Sequence, residues 1–298
     1  RKNPPDIGCY EADLESFVCS FDVSPRAALE GTNVVFSAAT VGAPDDAVYQ
    51  WTVYRGEEDQ AVFADFGPCV TNLFAVPDWY TVKLVVSFGG TDYPAALTNW
   101  LHIGANTNYV VSTWDEGYEP QIPYGSWTTA ATNIQDAVSE AVDGAVVMLG
   151  DGTFGVGQTV VVEKEIVLTS AHGAERTEIT ASKGNCRVVK INNDKAVVER
   201  VSITKGQVYD NSVGGCGVLL APLGGTLRDC IVERNGPQGQ HTPGGGVTVQ
   251  AGLVDRCVIR YNNGTGGGNN GGGGVCMQGG TLRNSLVFGN RANDGAGV

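Results

Sequence analysis

Few residues in this chain combine a type and a spacing that could do acid–base chemistry. The C-terminal half holds scattered acids, which are Asp194, Asp210, Asp229, Asp255 and Asp294. Enzymes that cleave polysaccharides need carboxylates that converge on one place, together with a proton donor or acceptor. His241 lies in a loop rich in Gly and Pro, where a lone histidine is usually solvated. We therefore predict no catalytic residues.

The acids are better explained by a repeat that fills residues 214–298. Lines such as GGGVTVQAGLVDRCVIRYNNG recur with small changes, and Asn235, Asn262 and Asn290 close them at intervals of 27 and 28 residues. A period of this length is typical of a solenoid. Short β-branched runs between glycine corners predict the coils of a right-handed parallel β-helix, with one strand about 4.8 Å from the next. We expect the closing asparagines to adopt left-handed backbone geometry at the corners.

Charged residues also fall at repeated places. Asp229 and Asp255 sit one place apart in the repeat, beside Arg228 and Arg256, which exchange positions with them. Opposite charges that face each other on adjacent strands stabilise a sheet. We interpret these residues as a ladder of charges between coils rather than as a catalytic cluster.

Cysteines recur in the repeat as well. Cys230 and Cys257 occupy the same place in adjacent coils. Cys186 and Cys216 each stand two residues before a valine that we align between coils. Stacked positions bring Cα atoms close enough for a disulfide. Buried thiols that act as small apolar side chains are the alternative, and the sequence does not decide between them.

The other four of the eight cysteines lie elsewhere. Cys19 and Cys69 could bridge two sheets of an N-terminal domain, which an extracellular setting would allow. Cys9 and Cys276 have no evident partner and could be free or intermolecular. No spacing of the CxxC type indicates a metal site.

Residues 13–104 have the pattern of an antiparallel β-sandwich. Alternating or apolar β-branched runs are separated by Gly, Pro, Asn and Asp at short intervals. Trp51 is predicted to fill the core between two sheets. In one later run Tyr80 and Val82 should face inward, while Thr81 and Lys83 should face outward.

A linker and a helix are predicted before the solenoid. Residues 105–127 are rich in Asn, Pro, Gly and Tyr, and we interpret them as a linker or entry segment. A short amphipathic helix follows at the start of the region 128–298, with Thr132 or Asn133 as its N-cap. Such a helix would cover the apolar interior of the first coil. The complete prediction is an all-β fold, with an immunoglobulin-like sandwich, a right-handed parallel β-helix and a capping helix.

Three segments of the chain resemble known groups of proteins. The runs YQWTV (Tyr49–Val53), CVTNLF (Cys69–Phe74) and DWYTVKLVVSF (Asp78–Phe88) resemble polycystic-kidney-disease (PKD) domains, although WTVYRGEED stands where that family has WDFGDG. GGGV at Gly244–Val247 and VFGN at Val287–Asn290 are similar to repeats of polymorphic outer-membrane adhesins. SWTTAATNIQDAVSEAVDGAVVMLGDGTF resembles the N-terminal cap of bacterial surface proteins with the pectate-lyase-like fold.

Residues 1–12 resemble the closing segment at the far end of such a β-helix. Either the chain is an arbitrary piece of a longer protein, or it is one period of a long array. In the second case Ile7, Cys9 and Tyr10 would pack on the open end of a neighbouring β-helix.

The composition of the chain limits the classes of molecule that it is expected to bind. A net charge of −13 disfavours nucleic acid and anionic membranes, and no apolar run is long enough to span a bilayer. No cofactor is expected. The acidic turns Asp45-Asp46, Glu57-Glu58-Asp59 and Asp115-Glu116 could bind calcium outside the cell, although solvated turns are the simpler interpretation.

These observations favour a non-catalytic structural or adhesive module on a bacterial surface or outside the cell. It would be part of a stalk or a filament whose partners are copies of itself or adjacent modules, head to tail, and possible ligands are host or matrix glycans. The alternative is a carbohydrate-active β-helix protein, either a polysaccharide lyase or hydrolase or a glycan-binding module. An exposed groove with converging acids, bases or aromatic residues would distinguish it.

Overall fold

The computed structural model describes residues 17–56, 58, 60–208, 213–236, 244–264, 272–292 and 295–298. The chain forms two compact units, residues 1–103 and residues 104–298. The predicted terminal segment, residues 1–12, lies outside the described residues, and so do its proposed assembly residues Ile7, Cys9 and Tyr10.

The first unit is built from antiparallel strands. These are β1 (Phe21–Ser24), β2 (Ala27–Leu29), β3 (Asn33–Ala38), β4 (Val48–Arg55), β5 (Ala61–Phe66), β6 (Cys69–Leu73), β7 (Asp78–Phe88) and β8 (Thr91–Gly104). They pair in two sheets, with the orders β1-β3-β6 and β2-β8-β7-β4-β5. Buried side chains from both sheets form one apolar cluster.

Trp51 fills the centre of that cluster, as predicted. Its side chain is fully buried, and its indole nitrogen donates a hydrogen bond of 2.8 Å to the Gly67 carbonyl. Tyr80 and Val82 also face inward, and Lys83 faces solvent. Thr81 is buried, contrary to the simple alternation, because the pairing of β7 with β8 shifts register between Tyr80 and Val82.

The second unit is a parallel β-solenoid. Its first strands are β9 (Thr107–Val110), β10 (Val146–Leu149), β11 (Gly152–Val156), β12 (Val160–Val162), β13 (Val167–Ser170), β14 (Thr177–Ala181), β15 (Val189–Ile191), β16 (Val197–Glu199), β17 (Ser202–Thr204) and β18 (Val218–Leu220). The strands that follow are β19 (Thr226–Arg228), β20 (Ile231–Glu233), β21 (Val247–Val249), β22 (Leu253–Asp255), β23 (Val258–Arg260), β24 (Asn263–Gly264), β25 (Val275–Met277), β26 (Thr281–Arg283), β27 (Leu286–Phe288) and β28 (Arg291–Ala292).

Each coil of the solenoid contributes one strand to each of three parallel sheets. Their orders are β9-β10-β13-β16-β19-β22-β26, β11-β14-β17-β20-β23-β27 and β12-β15-β18-β21-β25, with β24 and β28 as a small additional pair. Together with the first unit, this confirms the predicted all-β fold with antiparallel sheets and a parallel β-helix. Within the segment predicted as a linker, β9 already pairs with β10 and so belongs to the solenoid.

The register agrees with the repeat that the sequence shows. Val218 pairs with Val247, which pairs with Val275. Leu227 pairs with Val254, which pairs with Leu282. Columns of like apolar side chains therefore fill the interior of the solenoid.

A short helix packs against the first strands of the solenoid. Helix α1 (Ile134–Glu140) begins after Asn133, whose side-chain oxygen accepts a 2.8 Å hydrogen bond from the backbone N–H of Gln135. Ile134, Ala137 and Val138 are buried, and the helix contacts β9, β10 and β12. The predicted capping helix is therefore present, and Asn133 rather than Thr132 is its N-cap.

The left-handed corner residues are not the asparagines that we expected. Positive φ occurs one residue earlier, at Arg234 (55°), Tyr261 (56°) and Gly289 (64°). The chain therefore turns before each asparagine, which leaves the asparagine side chain inside the solenoid, where Asn235 and Asn262 are only 1% exposed. The preference of asparagine for left-handed geometry was thus the wrong reason for its recurrence.

Truncating an interior leucine should test the stacked core. Leu227→Ala removes a fully buried side chain from the interior column, and we expect it to lower the free energy of unfolding by about 2–5 kcal/mol. Leu223→Ala is the matched control, because Leu223 is 63% exposed and its loss should change stability by about 0.5 kcal/mol or less. Urea unfolding followed by circular dichroism measures both. Equal effects of the two variants would contradict the predicted core.

Candidate functional site

The repeated asparagines form a buried hydrogen-bonded ladder. The Asn262 side-chain oxygen accepts hydrogen bonds from the backbone N–H and the side-chain amide of Asn235, each of 3.0 Å. Asn290 accepts the equivalent bonds from Asn262, at 2.9 and 3.0 Å. The Asn235 side-chain oxygen likewise accepts a hydrogen bond from the backbone N–H of Gly206. Each asparagine therefore satisfies a buried backbone donor of the preceding coil.

The remaining amide hydrogens of the ladder bind backbone carbonyls. Asn262 donates to the Val232 carbonyl at 2.9 Å, and Asn290 donates to the Ile259 carbonyl at 3.0 Å. Glycine is required directly above these amides. A Cβ on Gly246 would lie 2.8 Å from the Asn262 amide nitrogen, and one on Gly274 would lie 2.5 Å from that of Asn290. The recurrence of GGGV together with a closing asparagine thus has one physical cause, which is the close approach of two coils.

The cysteines of the repeat stack without forming disulfides. Cys230 and Cys257 directly precede the paired residues Ile231 and Val258. The Cys230 thiol donates to the Arg228 carbonyl at 3.2 Å, and the Cys257 thiol donates to the Asp255 carbonyl at 3.4 Å. Burial raises the pKa of the Cys230 thiol, which keeps it protonated. The Cβ atoms of stacked residues point the same way and stay about 4.8 Å apart, beyond the usual disulfide separation. Cys230 and Cys257 are therefore buried thiols that pack as small apolar side chains, which was the alternative to a disulfide.

Cys186 and Cys216 do not occupy equivalent places. Val218 pairs with Val189, not with Val188, so the alignment that placed both cysteines two residues before one column is wrong by one residue. Residue 187, not residue 186, therefore stands in the column of Cys216. Both side chains are buried, and neither forms a disulfide.

The remaining described cysteines are also free thiols. Cys19 packs against the core of the first unit. Cys69 faces outward beside Ser37, because its neighbour Val70 faces inward, and this orientation prevents the predicted bridge to Cys19. Cys276 is 6% exposed and so is not placed to bond another molecule, whereas Cys9 lies outside the described residues.

A ladder of charges joins the coils on the outer surface. The Arg256 guanidinium donates to both carboxylate oxygens of Asp229, at 2.8 and 2.7 Å, and to Asp255 at 2.7 Å. Asp255 is buried and also accepts from Arg283 and from Asn284 of the next coil. The predicted pairing of Asp229 with Arg256 is present, while Arg228 binds Glu199 instead of Asp255.

These contacts shift the pKa values of the carboxyl groups. The hydrogen bond from Arg256 lowers the pKa of Asp229, and hydrogen bonds from Asn284 and then Arg283 lower the pKa of Asp255. Both groups are therefore held ionised near neutral pH. Such carboxylates are structural acceptors and are poorly suited to act as general acids.

A polar cluster beside the first coils was not predicted from the sequence. The Asp151 carboxylate binds His172 Nδ1 at 2.8 Å and also pairs with the Arg176 guanidinium. The hydrogen bond to His172 is the main cause of the lowered pKa of Asp151. Leu149 pairs with Ser170, so Asp151 and His172 each follow the same column by two residues. Aligning these coils with a spacing of 21 residues would have found the cluster.

One cavity lies beside this cluster, and a larger cavity shares Ser112 with it. The smaller, about 260 Å³, is lined by Ser112, Trp127, Asp151 and His172 among others. The larger, about 480 Å³, is lined by Ser112, Trp114 and Lys183 among others. Trp114 and Trp127 are 54% and 43% exposed, which is unusual for indoles.

The described residues contain no group of three or more His, Cys, Asp or Glu side chains placed to hold a metal ion. Of the acidic turns considered for calcium, Glu58 pairs with Arg55, and Glu57 and Asp59 lie outside the described residues. In the described part of the chain, no helix has the length and apolarity that crossing a bilayer requires.

No protein-family model, curated protein or solved structure matches this chain.

Removing one amide from the asparagine ladder should destabilise the solenoid strongly. Asn262→Ala leaves the buried backbone N–H of Asn235 and the Val232 carbonyl without partners, which should lower stability by about 3 kcal/mol. Gln278→Ala is the control, since it removes a surface amide that pairs with Gln250 at 3.1 Å, and it should cost about 0.5 kcal/mol or less. Urea unfolding measures the difference, and similar losses for both variants would refute a special role for the buried ladder.

The charge ladder should make the solenoid sensitive to acid. The folded-state pKa values of Asp229 and Asp255 are lowered, so their stabilisation is present above the unfolded pKa of about 3.9 and is lost as pH falls through the folded values. We expect the melting temperature to drop between about pH 5 and pH 2. Asp255→Asn should flatten this drop, and Asp115→Asn, at an exposed position, should leave it unchanged. Parallel pH profiles for all three proteins would contradict the assignment.

Proposed function

We propose that this chain is a non-catalytic structural module of a bacterial surface stalk or filament outside the cell. The observation that carries the proposal is the use of charged side chains between coils. Glu199, Asp229 and Asp255 each bind an arginine 27 to 29 residues further along the chain. Carboxylates that would serve a lyase or hydrolase are thereby engaged in holding one coil to the next.

A stalk needs resistance to local opening along its length, and the solenoid has two further features that supply it. Three parallel sheets run through successive coils, and the buried asparagine ladder links Gly206 to Asn290 without interruption. Because the coils between Gly206 and Asn290 are bonded to their neighbours in the same way, opening one of them exposes unsatisfied backbone groups on both sides. This arrangement suits a protein that bears load or separates other modules.

We also propose the finer family assignments. The first unit is PKD-like, supported by its two antiparallel sheets around Trp51. The second unit belongs with the right-handed β-helices of bacterial adhesins, supported by the GGGV and asparagine repeat and by the cap that α1 forms. In this proposal the partners are adjacent modules or copies of the chain. The same bonds that join two coils can join a coil to the matching edge of another module.

Electron microscopy together with an activity assay tests the proposal. The full chain should form rods or regular fibres and should release no reducing ends from polygalacturonate, xylan or cellulose. The double variant Asp229→Asn, Arg256→Ala is the matched control for the assay. If the natural chain cleaves any of these polymers and the double variant does not, the ladder carboxylates are catalytic and the structural assignment is wrong.

A further inference from the structure

The first coils carry a recess that the structural role does not explain. It is lined by Gly150 and Asp151, which lie between β10 and β11, and Gly152 follows them as the first residue of β11. A Cβ on Gly150 would lie 3.3 Å from Trp127 Cζ3, and a Cβ on Gly152 would lie 2.2 Å from Ser112 Oγ. The two glycines therefore make room for an indole and a hydroxyl above the turn.

The indole of Trp127 is held in place although much of it faces solvent. The Tyr109 ring packs against it with the centroids 4.5 Å apart and a tilt of 56°. Gly150 supports another edge of the same ring. An aromatic side chain that is fixed before binding loses little conformational freedom when a ligand stacks on it. Trp127 is therefore a preorganised platform rather than a mobile surface residue.

Polar groups surround this platform. Asp151 binds both His172 and Arg176, which orients the imidazole and leaves its Nε2 atom as the ring nitrogen directed to other partners. Ser112 Oγ donates a 2.7 Å hydrogen bond to the Asp151 carbonyl and can still accept one. Since the Ser112 proton is engaged with a carbonyl, this group is arranged for binding and not for nucleophilic attack.

The second cavity extends the recess. Ser112 lines both cavities, so they adjoin, and the larger one adds the exposed indole of Trp114. The smaller holds about 260 Å³ and the larger about 480 Å³, and sites for organic ligands begin at about 300 Å³. An elongated ligand with a repeating unit would fill both cavities, with one unit against each indole.

We propose that this recess binds a neutral oligosaccharide. A sugar ring presents C–H groups to the negative face of an indole and hydroxyl groups at its edge. Those hydroxyls can donate hydrogen bonds to Ser112 Oγ and to the Asp151 carboxylate, and they can hydrogen bond with the second ring nitrogen of His172. An acidic sugar fits less well, because Arg176 and His172 are already bound to Asp151 and the chain carries a net charge of −13.

Isothermal titration of the full chain with cellohexaose, xylohexaose and mannohexaose tests the site. At least one of them should bind saturably, and Trp127→Ala should weaken that binding by about tenfold or more. Trp100→Ala is the matched control, because Trp100 is a 36% exposed indole in the first unit, and its loss should leave the binding unchanged.

His172→Ala separates loss of the site from loss of the fold. The His172 side chain is 60% exposed, so its removal leaves the core intact, and it should still weaken binding several-fold. The proposal is overturned if none of the three hexasaccharides binds, if only oligogalacturonate binds, or if Trp127→Ala and His172→Ala both bind as tightly as the natural chain. Circular dichroism verifies that each variant is folded.

Discussion

The stacking of one coil on the next, in register and at a spacing set by backbone hydrogen bonds, governs the whole solenoid. A parallel pair of strands places each residue directly beside its counterpart in the neighbouring coil. The same type of side-chain contact therefore recurs from coil to coil along a column of equivalent residues. An apolar residue extends the core, as Leu227, Val254 and Leu282 do. A polar residue must find its partner within the same column or the next one.

The asparagine ladder shows how strictly this constraint acts. A buried amide is costly unless its donors and acceptors are satisfied. Asn235 and Asn262 meet this requirement with backbone groups and with each other. The contact needs coils so close that Gly217 and Gly246 have no room for a Cβ. The glycines and asparagines, although far apart within each repeat, therefore contact each other between adjacent coils.

The same constraint separates a structural surface from a binding one. On the later coils, charged residues lie above one another and neutralise each other, as Asp229 and Arg256 do. Near the first coils the chain departs from that regularity. The segment around Ser112, Trp114 and Trp127 does not repeat, and it places indoles and a fixed Asp151–His172 pair around a recess. Recognition is possible where the repeat is interrupted, because Trp114 and Trp127 lie outside the stacked strands and remain partly exposed.

Periodicity in the sequence determined the fold class, the interior columns and the recurrence of Asn235, Asn262 and Asn290, since each is a consequence of a fixed period. It also located the helix, because Asn133 and the apolar face that follows it are local signals. Three features were decided only by the tertiary structure. The register of Val189 with Val218 separated Cys186 from Cys216, and the left-handed turns fell on Arg234 and Tyr261. The pairing of Asp151 with His172 joined two coils of unequal length. Each depends on how many residues a loop uses between two strands, and that number is set by three-dimensional closure of the coil rather than by any local preference.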